Sequence, residues 1–220
     1  IAEASLLAPV TAEIIGSVTA GGGVAANSRA GATAVAELIA GSAGLVDVGV
    51  TRVFALIDQT ALTTASVRGG TIVAGGEVGA TADTIQSAKV KTDAVSVSIA
   101  GITLSTPSAR ILAATRATLA SSIFGVGARV TAHSANTVNA DVDLFGIGGL
   151  TVGTTSALAE ITAEAATEAL VPLSGATFDA GAGDVLVEAT AANQADAKIN
   201  KHGGAAISVS ILKSTATIAA

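Results

Sequence analysis

Through most of the chain an apolar residue takes every second position and a small or polar residue the one between, the period of a strand with one buried face. Four stretches share one grammar of short strand, small Gly- or Ser-rich turn and second strand: Ser17 to Ala26, Thr71 to Ala80, Arg129 to Ala140 and Thr177 to Val187. Their first apolar anchors, Val18, Ile72, Val130 and Phe178, stand 54, 58 and 48 residues apart. A second element recurs between them, as Val46 to Thr51, Val95 to Ile99, Leu150 to Thr155 and Ile207 to Ile211, where β-branched residues alternate with Ser, Thr and Gly. Each is expected to be a half-buried strand with its aliphatic side chains turned inward.

Two segments compete with this reading. Ser156 to Leu170 and Ile111 to Ser121 are built of good helix formers. A helix over the first would place Glu160, Glu164 and Glu168 on one face, where like charges repel. A strand instead puts Ile161, Ala163, Ala165, Thr167 and Ala169 on one side and the glutamates on the other. Strand is therefore predicted for both. The three prolines, Pro9, Pro107 and Pro172, are expected at turns or edges, because proline has no N–H to give a ladder.

A unit with one thin apolar face cannot bury it alone, and stacking such units along an axis gives them a shared core. The prediction is all-β: a parallel β-helix, or β-solenoid, of irregular repeats of about 48–58 residues, running as one continuous segment over residues 1–220. Composition sharpens it. Half the residues are apolar, yet Trp, Tyr, Met and Cys are absent and Phe occurs four times. A core of Ala, Val, Ile and Leu must be narrow, which disfavours a string of β-sandwiches, since those usually bury a large aromatic. The mean hydropathy of +0.67 raises the question of a membrane. The longest charge-free runs, Ala94 to Ala109 and Leu144 to Ala159, are 16 residues each, short of the roughly 20 a spanning helix needs. An outer-membrane barrel would carry aromatic girdles that this composition lacks.

The net charge of −6 argues against a nucleic-acid partner. The absence of cysteine decides little about compartment. Ile1 follows no secretory leader and is expected to be a processed end or the start of an excised segment. The ends, Ile1 to Val10 and Ile207 to Ala220, carry no polar cap, so both are expected to continue into a longer polypeptide or a neighbouring subunit.

No constellation of catalytic residues emerges. His133 and His202 fall at predicted turns without metal-ligand spacing. Gly21 to Gly23 and Gly181 to Gly183 lack the Lys-Ser/Thr of a phosphate loop and read as coil corners. Asp141, Asp143, Asp179 and Asp184 do not form the Gly-rich calcium nonapeptide and read as a solvated face. Thr60, Thr63, Thr64, Thr215 and Thr217 show no register across repeats that would rank them as an ice-binding face. Neither a serine-hydrolase elbow nor a carboxylate cluster on an aromatic platform is present. Accordingly no catalytic, cofactor-binding or metal residue is assigned, and no cofactor is expected.

The run Gly175 to Ala191, followed by Ala195–Asp196–Ala197 and Gly203 to Val209, resembles the β-strand repeats of giant bacterial secreted adhesins, the filamentous-haemagglutinin-like and leukotoxin-type filamentous adhesins. The resemblance is clearest over residues 128–220 and degraded over 17–127. It implies a non-catalytic β-solenoid module outside the cell, on a bacterial surface, used for attachment or as a fibre. Its expected partner is a receptor or matrix on a host or cell surface, met through outward Thr, Ser, Asn and acidic residues, or another copy joined end to end. A self-assembling homopolymeric filament subunit is the alternative reading, and a polysaccharide-degrading β-helix the third.

Overall fold

The computed structural model describes residues 1–172 and 177–219, with the side chain of Ala205 left out. It is a solenoid of parallel strands. The elements in chain order are β1 (Ala2–Leu6), β2 (Val10–Ile15), β3 (Val18–Ala20), β4 (Val24–Ile57), β5 (Thr63–Ala74), β6 (Val78–Ile111), β7 (Thr115–Phe124), β8 (Ala128–Ile161), β9 (Thr167–Leu170), β10 (Phe178–Asp179) and β11 (Val185–Ile218). One sheet runs β1-β4-β6-β8-β11 and the other β10-β7-β5-β2, with β3 on β5 and β9 on β7. Every pairing is parallel, so each coil consists of a long strand and a short return, and the next coil lies directly upon it.

The long strands stack in register. Val24 pairs with Val78, Val78 with Ala128 and Ala128 with Val185. On the short side Val18 pairs with Ile72, Ile72 with Ile123 and Ile123 with Phe178. The third anchor is therefore Ile123, not Val130, which pairs instead with Ala80 and Val187. The third corner is Gly125–Val126–Gly127, and Arg129 to Ala140 runs through β8 without a turn. Composition misled here because His133 and Ser134 imitate a turn, whereas a ladder on both sides holds them extended. His133 and His202 accordingly lie in strands, not turns. Likewise Val95 to Ser98 stacks on Gly41 to Gly44, and the partner of Val46 is Ala100.

The two doubtful segments are mostly strand. Ser156 to Ile161 completes β8, a single 3-10 turn occupies Ala163–Ala165, and β9 follows. Ala163 is exposed and breaks the expected face, since the 3-10 turn rotates it away from the core. Between Ile111 and Ser121 the strand lapses only over residues 112–114. Pro9 and Pro172 lie outside strands, but Pro107 sits inside β6 and pairs with Val53. Toward β8 the ladder skips Thr106 and Pro107 and resumes at Ser108–Leu158, the local gap left by a residue without N–H.

Two apolar clusters fill the rod. One gathers Val24, Val67, Ile72, Val78, Leu119, Ile123 and Val130 between the start of each long strand and its short return. The other gathers Val53, Ile57, Val90, Ile111, Val142 and Ile161 with many alanines. Along β6 and β8, buried Thr84, Gln86, Ser134 and Asn136 fall between the stretches that feed the two clusters, and Thr63 and Thr115 do the same on the opposite wall. Asn136 Nδ2 donates to Asn193 Oδ1 of the next coil at 2.9 Å, Gln86 Nε2 donates to the Ala113 carbonyl at 3.3 Å, and Ser134 Oγ lies 2.6 Å from Thr167 Oγ1. Thr63, Thr115 and Thr167 stack in register after all. Thr63 and Thr115 are buried, so this threonine rank belongs to the interior and presents no face to solvent. The outer walls are stitched coil to coil by ion pairs, Arg110–Glu160 at 2.7 Å, Arg116–Glu168 at 2.6 Å and Arg129–Glu77 at 3.1 Å.

Candidate functional site

Beyond the second cluster the long strands leave the rod. In β4 the chain runs outward from Leu38, reverses at Leu45 and returns to the core at Val53. The inter-coil ladder accordingly omits Leu45, Ile99 and Gly149. Ser42 Oγ donates to the Asp47 carboxylate across the reversal, and Lys201 Nζ donates to Ser208 Oγ at 2.6 Å and to Ser210 Oγ in the last coil. Four such excursions, stacked in register, make a two-walled fin.

The polarity of this fin is inverted. Its inner positions are Ser42, Asp47, Gly49 and Thr51 in the first coil, then Ser96, Ser98, Gly101 and Thr103 in the second. In the third they are Gly146, Gly148, Thr151 and Gly153. A cavity of about 270 Å³ lies between the walls and runs across the coils. Hydroxyl groups link coil to coil within it, Thr51 Oγ1 donating to Ser105 Oγ at 2.8 Å, Ser96 Oγ to Asp47 Oδ2 at 3.1 Å and Thr151 Oγ1 to Ser208 Oγ at 3.2 Å. The walls approach closely near the tip: a Cβ on Gly101 would lie 2.6 Å from Ser98 Oγ.

The outer positions are aliphatic along the returning wall and, on the outgoing wall, in the second and third coils, where the first coil has Gly41 and Ala43 and the last His202 and Gly204. On the returning wall the columns Val48–Ile102–Val152–Val209 and Val46–Ala100–Leu150–Ile207 stack in register, with Val50 and Leu104 beside them. Val46, Val48 and Ile207 are each more than half exposed. The outgoing wall carries Val95, Val97, Phe145 and Ile147, and the tip carries Leu45 and Ile99, all exposed. This overturns the expectation that the aliphatics of the second recurring element face inward. Alternation places them on one side of the strand but does not say which side, and here the opposite wall presents Ser, Thr and Gly. The two 16-residue charge-free runs are largely the fin of the second and third coils.

The remaining candidate positions do not converge. Asp179 Oδ1 accepts the Gly181 N–H at a corner, and Asp143 Oδ1 accepts from Asn200 Nδ2 at 2.8 Å. His133 lines a shallow hollow with Arg29 and Asp83, which are 3.5 Å apart. Among the described residues no group of three or more His, Cys, Asp or Glu side chains is placed to hold a metal, and no helix is long and apolar enough to cross a membrane. Gly175, Ala176 and Ala220, part of the runs singled out in the sequence, lie outside the described residues. Comparison of the chain with protein-family models, curated proteins and solved structures gave no match.

Proposed function

We propose that this chain is a non-catalytic structural and adhesive module, a stretch of rod in an adhesin or fibre on the outside of a bacterial cell. The observation that carries the reading is the stacking itself. Four 34-residue strands repeat in register along one axis, so each coil is held by its neighbours and the assembly resists bending and extension. The sequence resemblance to secreted adhesin repeats points the same way, and the Ser-, Thr- and Asn-bearing surfaces supply hydrogen-bonding contacts for a receptor or matrix. Immobilised chain in a flow cell, challenged with host cells and matrix-coated beads, is expected to retain them. Chain that retains neither cells nor beads would sink this proposal, as would release of reducing sugar ends from polysaccharide, the behaviour of a lyase or hydrolase.

A second reading, a self-assembling filament subunit, has one observation in its favour. Among the described residues β11 has a ladder partner only in β8, and its Val185 and Val187 are exposed. Such an edge accepts another strand, whether from the same polypeptide or from another copy. End-to-end growth of purified chain with time separates this reading from the first.

A further inference from the structure

The two ends of the rod match each other. Resting on the second reading above, we propose that the open edge of β11 in one copy receives β4 of a second copy, in the register that the coils within one chain already use. Both sheets end on the same two coils. The long-strand sheet ends on β11 and, over residues 24–52, on β4, while the short-side sheet ends on β10 and β2. β4 and β11 are each 34 residues long, so every position of one has a place on the other. Continuing the ladders sets Val185 on Val24, Ala195 on Ala34, Ala197 on Ala36 and Ile199 on Leu38. Leu38, Ala195, Ala197 and Ile199 are only partly buried within one copy, and the second copy completes their cover.

The charges at the two ends are opposite. On the outer face the column Glu37–Lys91–Asp141–Lys198 alternates in sign from coil to coil, and Lys198 set on Glu37 continues the alternation across the junction. Among the described residues, the charged side chains that line the cavity of the fin are Asp47 in the first coil and Lys201 in the last. Lys201 Nζ donates to Ser208 Oγ at 2.6 Å and to Ser210 Oγ. The same register sets Ser208 on Asp47, one strand spacing of about 4.8 Å away. Within its own copy the Asp47 carboxylate accepts from the Ser42 and Ser96 hydroxyls; the junction brings it a cation. A polypeptide that merely continued would need no such match between its own first and last coils. One like pair, Lys213 on Arg52, falls at exposed positions where salt screens it.

One short segment competes for the edge. β1 pairs with Val53 to Ile57 of β4, the place that residues 214–218 of the incoming β11 would take. β1 packs Ala2, Ala4 and Leu6 against the core. The corresponding inward positions of β11, stacked on buried Ala157, Ala159 and Ile161, are Ser214, Ala216 and Ile218. The more apolar segment keeps the place, so residues 214–218 yield it and the junction runs between residues 185–213 of one copy and 24–52 of the next.

Since the chain has no cysteine, a designed disulfide reads the register. Glu37→Cys with Lys198→Cys sets two thiols on neighbouring strands across the junction, about 4.8 Å apart at Cα. Within one copy they are three strand spacings apart, about 14 Å, beyond the reach of a disulfide. Mild oxidation of this double variant is expected to give a ladder of covalent oligomers. Glu37→Cys with Asp196→Cys, displaced by two residues to about 8 Å, is expected to give none. Charge supplies a second readout, growth of the cysteine-free chain followed by light scattering. Asp47→Lys and Lys201→Asp are each expected to slow end-to-end growth by about tenfold or more, because like charges then face each other across the junction. An equimolar mixture of the two variants, or both changes in one chain, is expected to grow as the wild type does, a recovery that misfolded variants would not show. Growth in which both cysteine pairs link equally, or growth indifferent to the charge changes, would overturn this junction and leave the filament reading standing. Wild-type chain that stays monomeric, with neither cysteine pair linking, would remove both and leave the adhesive rod untouched.

Discussion

The rod and the fin are made by the same four strands, with the same alternation and the same parallel ladder, and they bury opposite residues. In β6, Ile111 lies in the rod and is fully buried, whereas Ile102, nine positions earlier, is 53% exposed. Ile57 and Ile161 stack on either side of Ile111 in the neighbouring coils and alanines fill the rest of its cluster; the inner positions of the fin are serines, threonines and glycines with Asp47 and Lys201 at its two ends. Backbone hydrogen bonding sets the shape of both regions, and side-chain burial stabilises only one. The fin is thus a structure carried by its ladder and by the rod beneath it, with its apolar surface left over for something else.

The sharpest way to break this comparison is to truncate one isoleucine from each region. Ile111→Ala is expected to cost about 2–5 kcal/mol in urea denaturation, the loss of a buried side chain plus the cavity it leaves. Ile102→Ala is expected to stay within about 0.5 kcal/mol, as an exposed substitution does. Comparable losses would mean that the fin has its own buried core and that its inverted polarity is illusory.

Backbone packing gives the next contrast. Gly70 has φ of +68°, and a Cβ there would lie 2.5 Å from Ser17 Oγ and 2.7 Å from the Gly16 carbonyl carbon of the coil beneath. Gly70→Ala is therefore expected to lower the thermal midpoint, at a cost of roughly 1–2 kcal/mol. Gly146, in the fin, meets nothing within 4 Å, and Gly146→Ala is expected to leave the midpoint in place.

A smaller effect separates the polar interiors. Asn136 is buried and donates to Asn193 and Ser134; Asn136→Ala removes both bonds and is expected to cost about 1–2 kcal/mol. Ser208, inside the fin, is exposed, and Ser208→Ala is expected to change stability by less than about 0.5 kcal/mol because water replaces the lost partner. Amide hydrogen exchange should agree, with slow exchange through Thr84 to Val90 and faster exchange through Val95 to Leu104.

The smallest effect is a pH dependence at the surface of the rod. Hydrogen bonds from Arg68 and then Ser66 hold the Glu13 carboxyl below its ordinary value of 4.5. Its contribution to stability is thus fully present above the unfolded value and is lost as pH falls through the lower, folded one. Acid titration of the wild-type chain should weaken the contact between the first and second coils in that window, and Glu13→Gln should remove this component of the acid dependence while leaving the rest.

Much of the rod was legible from the chain alone. Alternating Val, Ile and Ala called for strands, scarce aromatics called for a thin core, and the Gly-rich corners at residues 21–23, 75–76 and 181–183 do join one coil to the next. Elsewhere the structure departs from the local pattern. His133 and Ser134 have the local composition of a turn, Ala163 sits in an alternation that would face it inward, and Pro107 has the chemistry of an edge residue. At His133, Ser134 and Pro107 pairing with neighbouring coils, some 50 residues away in sequence, outweighs local preference, and at Ala163 a 3-10 turn breaks the alternation.

What the amino-acid order determines by itself is the period: which residues share a side of each strand, and hence that the protein is all-β and stacked. What only the tertiary structure decides is which side is inside. A strand with aliphatics on one side and Ser, Thr and Gly on the other is the same local object wherever it lies, and its orientation follows from what faces it. Alanines and isoleucines face one another in the rod, and hydroxyls and glycines face one another in the fin, because the chain reverses at Leu45 and its equivalents, a long-range fact that no period-two pattern contains.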